Sequence, residues 1–154
     1  MHATIAAMRE PKDDQERKAI TDVQNHGWHV LKVMEDDQGP AFAYTVGLYH
    51  SFGHPELIIV GLPLDVGHSV LNIAGESIRR GVRYSEGAQS DEFPEDRACV
   101  FRRMPESQYR HYLGWDLWFY EGSPFPALQM IWATNTGDGP GSRTWIKRFV
   151  RDNP

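Results

Sequence analysis

The sequence predicts a single α+β domain, with a curled, mostly antiparallel sheet of four to six strands that forms a partial barrel covered by two or three helices. A chain of 154 residues is long enough for one compact domain. Short apolar stretches are joined by turn sequences as well as by helical patterns, which favours hairpins over a doubly wound parallel sheet. No pattern recurs with a period of about 20 to 50 residues, so solenoids and propellers are excluded.

Composition limits the functional classes. The chain has 16 basic and 21 acidic residues, a net charge of −5, which argues against a nucleic acid partner. Cys99 is the only cysteine, so an intramolecular disulfide is excluded. No apolar run approaches the about 20 residues needed to cross a membrane, and the N-terminus lacks a signal-peptide pattern. We therefore expect a cytoplasmic protein without membrane partners.

The N-terminal part is predicted to be a loose lead-in over residues 1–12, followed by the domain over residues 13–150. A helix is predicted over residues 13–26, because apolar residues recur there at helical spacing and acidic residues occupy the first turn. Gly27 is placed to end that helix.

Three strands are predicted next, over residues 28–35, 41–49 and 56–62. A turn cluster at residues 36–40 makes the first two an antiparallel hairpin. The third strand is apolar on both faces, so it is expected to be central and covered on both sides. One face of the second strand is small and invites close approach by a helix or by a flat ligand; its residues are Ala41, Ala43, Thr45 and Gly47.

A helix over residues 65–80 is the favoured cover for that small face. Its interior glycines, Gly67 and Gly75, each cost about 1 kcal/mol relative to alanine, and tight packing would explain them. The polar stretch over residues 82–97 is predicted to be an exposed connection with a short strand at residues 82–84.

The C-terminal half is predicted to add a strand over residues 98–104, a helix over residues 105–113 and another strand over residues 125–134. The aromatic segment at residues 114–120 is predicted to be irregular. Helices are expected on one face of the sheet.

Candidate chemistry centres on the loop before the third strand. His54 and Glu56 could form an acid/base pair, or Pro55 could simply fix the strand entry while Glu56 is solvated. His50, His54 and His68 could converge on a metal, but this spacing is weakly specific, and such histidines more often cap turns. No metal ligands are therefore assigned.

Aromatic residues crowd the segment from Tyr109 to Trp132. They could form a stacking wall for a planar ligand such as a flavin or haem, or they could be ordinary core. Gln129 stands among apolar neighbours, so a buried amide there needs partners from the backbone or from a bound molecule.

Two sequence stretches resemble the domain of unknown function 4262 family of small bacterial proteins: FAYTVGL at residues 42–48 and GHPELIIVGL at residues 53–62. LQMIW at residues 128–132 adds to the resemblance, which covers roughly residues 15–137. The chain departs from the family pattern after Trp132. The resemblance assigns no functional role to any residue. It implies that the family pattern includes Tyr44, Thr45, His54, Glu56, Gln129 and Trp132.

The leading hypothesis is a pocket near the loop over residues 50–56 that binds a small molecule or an unidentified cofactor. Whether the protein is an enzyme stays open. In the enzymatic version His54 is the acid/base, Glu56 orients it and Tyr44 donates a hydroxyl. The expected ligand-binding residues are Thr45, His50, Gln129 and Trp132.

The alternative hypothesis is a non-catalytic interaction module, of the immunity or regulatory type, that binds a basic partner. It rests on the net charge of −5 and on the acidic stretch over residues 86–96. A homodimer is also considered, because a second copy could cover strands that are apolar on both faces.

Overall fold

A computed structural model describes residues 10–93 and 97–132. Most of the expected lead-in, residues 1–9, lies outside the described residues. So does the end of the expected domain, residues 133–150, together with the divergent segment after Trp132.

The described chain contains six strands, five α-helices and one short 3-10 helix at Glu106–Gln108. In chain order the elements are α1 (Asp14–His26), β1 (His29–Val33), β2 (Phe42–Val46), α2 (Leu48–Phe52), β3 (Glu56–Val60), α3 (Leu64–Arg79), β4 (Gln89–Phe93), β5 (Arg97–Arg103), α4 (Tyr109–Tyr112), α5 (Gly114–Tyr120) and β6 (Ala127–Trp132).

The six strands form one open sheet in the order β1-β2-β3-β6-β5-β4. Only β3 and β6 pair in parallel, and the other four neighbouring pairs are antiparallel. The predicted α+β class with a curled, mostly antiparallel sheet is confirmed. The described helices exceed the two or three expected and cover both faces of the sheet, because both faces carry apolar side chains.

Strand β3 is central, as its two-sided apolar pattern predicts, and all five of its residues are buried. Leu57 and Ile59 pack into a first core beneath α3, while Ile58 and Val60 pack into a second core with α4 and α5. The helix α3 contributes Val70, Leu71, Ala74 and Ile78 to the first core, and α5 contributes Phe119 and Tyr120 to the second.

The small face of β2 is covered by α3, so the helix rather than a flat ligand lies there. A Cβ added at Gly67 would lie 3.7 Å from the Ala43 Cβ and 3.2 Å from the Ile59 Cγ2. Gly75 has a different neighbour, since its added Cβ would lie 2.5 Å from the Trp28 Cε2. Both glycines therefore permit close packing, one against the sheet and the other against an indole ring.

Three local predictions are wrong. The second strand ends at Val46, because Gly47 turns the chain with φ 110° and α2 follows. No strand forms over residues 82–84, where the Tyr84 amide donates to His54, and β4 forms farther along. The segment at residues 114–120 is the helix α5, whose rings bury in the second core.

Candidate functional site

Glu56 lies at the start of β3 with its carboxylate enclosed by hydrogen-bond donors, and it is fully buried. The Thr45 Oγ1 donates to Oε1 over 2.8 Å, and the Tyr120 hydroxyl donates to Oε2. Three backbone amides at the start of α2 complete the set, from Gly47 at 3.0 Å, Leu48 at 3.1 Å and Tyr49 at 3.2 Å.

The partners of Glu56 have second bonds that connect several elements. The Thr45 Oγ1 accepts from the Leu57 amide at 2.9 Å, and the Tyr120 hydroxyl accepts from the His50 amide at 3.1 Å. Glu56 therefore holds together β2, α2, β3 and α5. We call this group the Glu56 cluster: Thr45, the amides of residues 47–49, Glu56 and Tyr120.

Asp116, on α5, is a second fully buried carboxyl close to this cluster. Neither of its oxygens has a hydrogen-bond partner among the described residues. Burial and the charge of Glu56 raise the pKa of Asp116 well above its usual value. Burial also raises the pKa of Glu56, but its five donors act in the opposite direction. The proton of the pair therefore belongs to Asp116 and the negative charge to Glu56.

Tyr44 faces the second core, where its hydroxyl accepts from the Trp115 amide at 3.0 Å. Burial raises the pKa of Tyr44. The His50 ring lies edge-on to Phe119, with ring centroids 5.7 Å apart. The structure thus brings Thr45 and Glu56 together near the His50 amide, whereas Tyr44 lies in the second core and bonds to the Trp115 amide.

His54 is 1% exposed, and its partners differ from those of Glu56. Its Nε2 accepts from the Tyr84 amide at 3.0 Å, and its Nδ1 lies 2.8 Å from the Pro55 carbonyl oxygen, to which it donates. Burial lowers the pKa of His54. The imidazole is therefore neutral with both nitrogens in use, and it makes no hydrogen bond to Glu56.

Trp132 and Gln129 lie on opposite faces of β6. The Trp132 indole packs in the first core, edge-on to Phe93 at 5.6 Å between centroids. Gln129 is 6% exposed and, by strand alternation, shares the face of Ala127 in the second core. The residues expected to line one pocket are therefore divided between the two sides of the sheet.

An open cavity of about 560 Å³ lies elsewhere, between α1, β1 and α3, and we call it the α1–α3 cleft. It has both polar and apolar walls, which is typical of small-molecule sites. Residues of three elements line it. They are Lys18 and Asp22 from α1, His29 and Lys32 from β1 with Trp28 directly before that strand, and His68, Asn72 and Glu76 from α3.

Asp22 and His29 form a hydrogen-bonded contact in the wall of the cleft. The Asp22 Oδ2 lies 2.7 Å from the His29 Nδ1, and the two side chains are 21% and 15% exposed. Lys18 Nζ lies 3.1 Å from the same oxygen. Burial acts to raise the pKa of Asp22, but the hydrogen bonds and charges of His29 and Lys18 outweigh it, so that pKa is lowered. The contact between the ionised carboxylate and Nδ1 orients the His29 ring.

The opposite wall of the cleft is ordered by Trp28. Its Nε1 donates to the Asn72 Oδ1 over 2.9 Å, so the amide nitrogen of Asn72 faces the His68 Nε2 at 3.5 Å. Burial and the nearby charges of Lys32 and His29 lower the pKa of His68. His68 is thus a neutral imidazole at pH 7.

A family comparison covers most of this architecture. The family described as "Domain of unknown function (DUF4262)" matches residues 22–145. The chain belongs to the DUF4262 family. No curated protein and no solved structure matches this DUF4262 chain. The matched range begins at Asp22 and contains the Asp22–His29 pair, His68 and Asn72.

Two further properties bear on this DUF4262 protein. No helix in residues 10–93 and 97–132 is long and apolar enough to cross a membrane. Within the same residues, no three His, Cys, Asp or Glu side chains are grouped to hold a metal ion, so His50, His54 and His68 do not converge.

Sequence reasoning missed the Asp22–His29 pair. Its signal was the reversal at Gly27, which returns β1 alongside the last turns of α1 and brings residues seven apart together. A carboxylate in that turn and an imidazole at the strand start are therefore neighbours.

Proposed function

We propose that this DUF4262 protein binds a small molecule in the α1–α3 cleft and that the Asp22–His29 pair exchanges a proton with it. The proposal rests on the 2.7 Å contact between the Asp22 Oδ2 and the His29 Nδ1 at the wall of an open cavity. An imidazole whose ring is oriented by a carboxylate is the usual arrangement for general acid/base chemistry.

The proposed roles follow from the geometry of the cleft. His29 presents Nε2 as the proton acceptor, and Asp22 positions the ring and stabilises its protonated form. Trp28 supplies an apolar surface, and its hydrogen bond to Asn72 keeps the polar wall ordered. These features support binding of a ligand with an apolar body and a polar end.

The proposal keeps the hypothesis of a small-molecule site and moves it away from the loop over residues 50–56. Glu56 is fully buried, and five donors already satisfy its carboxylate. His54 uses both ring nitrogens in bonds to its own backbone surroundings. Groups in this state support the fold and leave no lone pair for a ligand.

An interaction module with an acidic face has less support. Glu86 accepts from the Arg103 amide at 3.1 Å, and Glu92 accepts from Ser77 Oγ at 2.6 Å. These two acidic side chains therefore bond within the chain. We also propose a cytoplasmic location, supported by the buried free thiol of Cys99, whose pKa burial raises to about 12.

The test is a screen of the full chain against a mixed library of small metabolites, followed by protein-observed NMR. We expect at least one compound to shift the Trp28 indole signal and the ring signals of His29 and His68. His29→Gln should abolish the pH dependence of that binding, whereas the matched control His111→Gln, outside the cleft, should leave it unchanged. Binding that maps away from the cleft, or an unaltered pH dependence in His29→Gln, would contradict the proposal.

A further inference from the structure

The charges of the α1–α3 cleft are unevenly compensated. Asp22 is bonded to His29 and Lys18, and Glu76 accepts from Arg79 at 2.7 Å. Both acidic side chains of the cleft are therefore neutralised by partners of this chain. A ligand entering the cleft meets no unpaired carboxylate among the described residues.

Lys32 is the opposite case. It lines the cleft, yet its ammonium has no ion pair and no hydrogen bond within residues 10–93 and 97–132. Lys32 and Val30 share the face of β1 that is turned towards α3, and the charge of Lys32 reaches His68. One uncompensated positive charge therefore stands beside an apolar surface formed by Val30 and Trp28.

We infer that the ligand of the cleft is a small monocarboxylic acid with an apolar body, whose carboxylate binds Lys32. This inference rests on the proposed function and adds the chemical class of its ligand. A single negative charge matches the ammonium of Lys32, which is unpaired among the described residues. A phosphate dianion would carry a second negative charge that Lys32 does not match, which disfavours it. The indole of Trp28 and the side chain of Val30 accommodate the apolar body.

The test compares carboxylates of different apolar bodies with their uncharged amides and with a phosphate ester. The full chain is titrated at constant ionic strength with acetate, butyrate and benzoate, with the corresponding amides, and with phenyl phosphate, while the Trp28 indole signal is followed by NMR. We expect benzoate to bind most tightly among the acids and about tenfold more tightly than benzamide or phenyl phosphate.

Lys32→Gln should remove the preference for benzoate over benzamide. The side chain of Lys32 is exposed, so the variant is expected to fold, and its amide spectrum verifies this. Lys12→Gln is the matched control, because it removes the same charge from an exposed site outside the cleft lining. It should leave the preference unchanged.

Two failures are distinguishable. The inference is overturned, and the proposed function stands, if benzamide or phenyl phosphate binds in the cleft with the same affinity as benzoate. The same holds if no carboxylate shifts the Trp28 signal while another library compound binds in the cleft. If neither these probes nor any library compound shifts the cleft signals, both are overturned. A preference for benzoate that persists in Lys32→Gln also overturns the inference.

Discussion

Two carboxylates, Glu56 and Asp22, are each held by neighbouring side chains, but their surroundings differ. Glu56 has no exposed surface, and donors from β2, α2 and α5 enclose it. The Asp22 side chain keeps 21% of its surface exposed, and its partner His29 borders an open cavity. The first arrangement has no room for a ligand, whereas the second borders open space.

This difference indicates how burial divides similar residues between fold and function. A buried carboxylate with five donors stabilises the elements that supply them, and removing it leaves those donors unpaired. A partly exposed carboxylate adds little to stability and can orient a neighbour for chemistry.

Glu56→Gln is expected to cost about 3–5 kcal/mol in the free energy of unfolding, because the amide places an N–H₂ group among donors that need an acceptor. Asp22→Asn, the matched control, is expected to cost less than about 1 kcal/mol. Urea denaturation of both variants measures the difference. Equal costs would remove the distinction between the two carboxylates.

Gly75→Ala is expected to cost about 1–3 kcal/mol, because the added methyl group would lie 2.5 Å from the Trp28 Cε2. The same variant should shift the Trp28 indole signal, since that ring borders the cleft. Gly114→Ala is the control, as a Cβ there would meet nothing within 4 Å. A stable Gly75→Ala with an unchanged indole signal would show that this wall is loosely packed.

Asp116→Asn is expected to flatten the pH dependence of stability by about 1 kcal/mol or more. Because the folded pKa of Asp116 is raised above 3.8, its contribution is fully present below that pH and is lost as the pH rises through the folded value. The wild-type protein should therefore lose stability relative to the variant between pH 5 and pH 8. Urea denaturation at pH 5 and pH 8 measures this, and an equal difference in unfolding free energy between wild type and variant at the two pH values would contradict it.

Asp22 is expected to give the smallest pH effect, with the opposite sign. Its folded pKa is lowered, so its contribution is present above 3.8 and is lost as the pH falls through the folded value. Exposure limits that contribution to about a few tenths of a kcal/mol. Comparing wild type with Asp22→Asn in urea at pH 7 and pH 3 measures it, and a larger change would mean that Asp22 is a structural group like Glu56.

The fold was predictable where the sequence pattern is local. The two-sided apolar run of β3 predicts its central position, and Gly27 predicts the end of α1. The glycines of α3 predict its close packing. The predicted strand over residues 82–84 failed because a side chain, His54, takes the Tyr84 amide.

The site was less predictable, because its contacts join distant parts of the chain. Tyr120 reaches Glu56 across 64 positions, and Asn72 meets Trp28 across 44. Neither separation leaves a periodic signal. The sequence indicated that Glu56 is special, but only its enclosure by five donors shows that it supports the fold.

Chemical modification of the native protein with diethyl pyrocarbonate tests the central claim most directly, because the reagent acylates accessible, unprotonated imidazole nitrogens. We predict that His29 is modified and that His54 stays unmodified until the protein is unfolded. Mass spectrometry of the peptides gives each rate. An unreactive His29, or a His54 that reacts as fast, would contradict the assignment of an open site to the α1–α3 cleft and a closed one to the loop before β3.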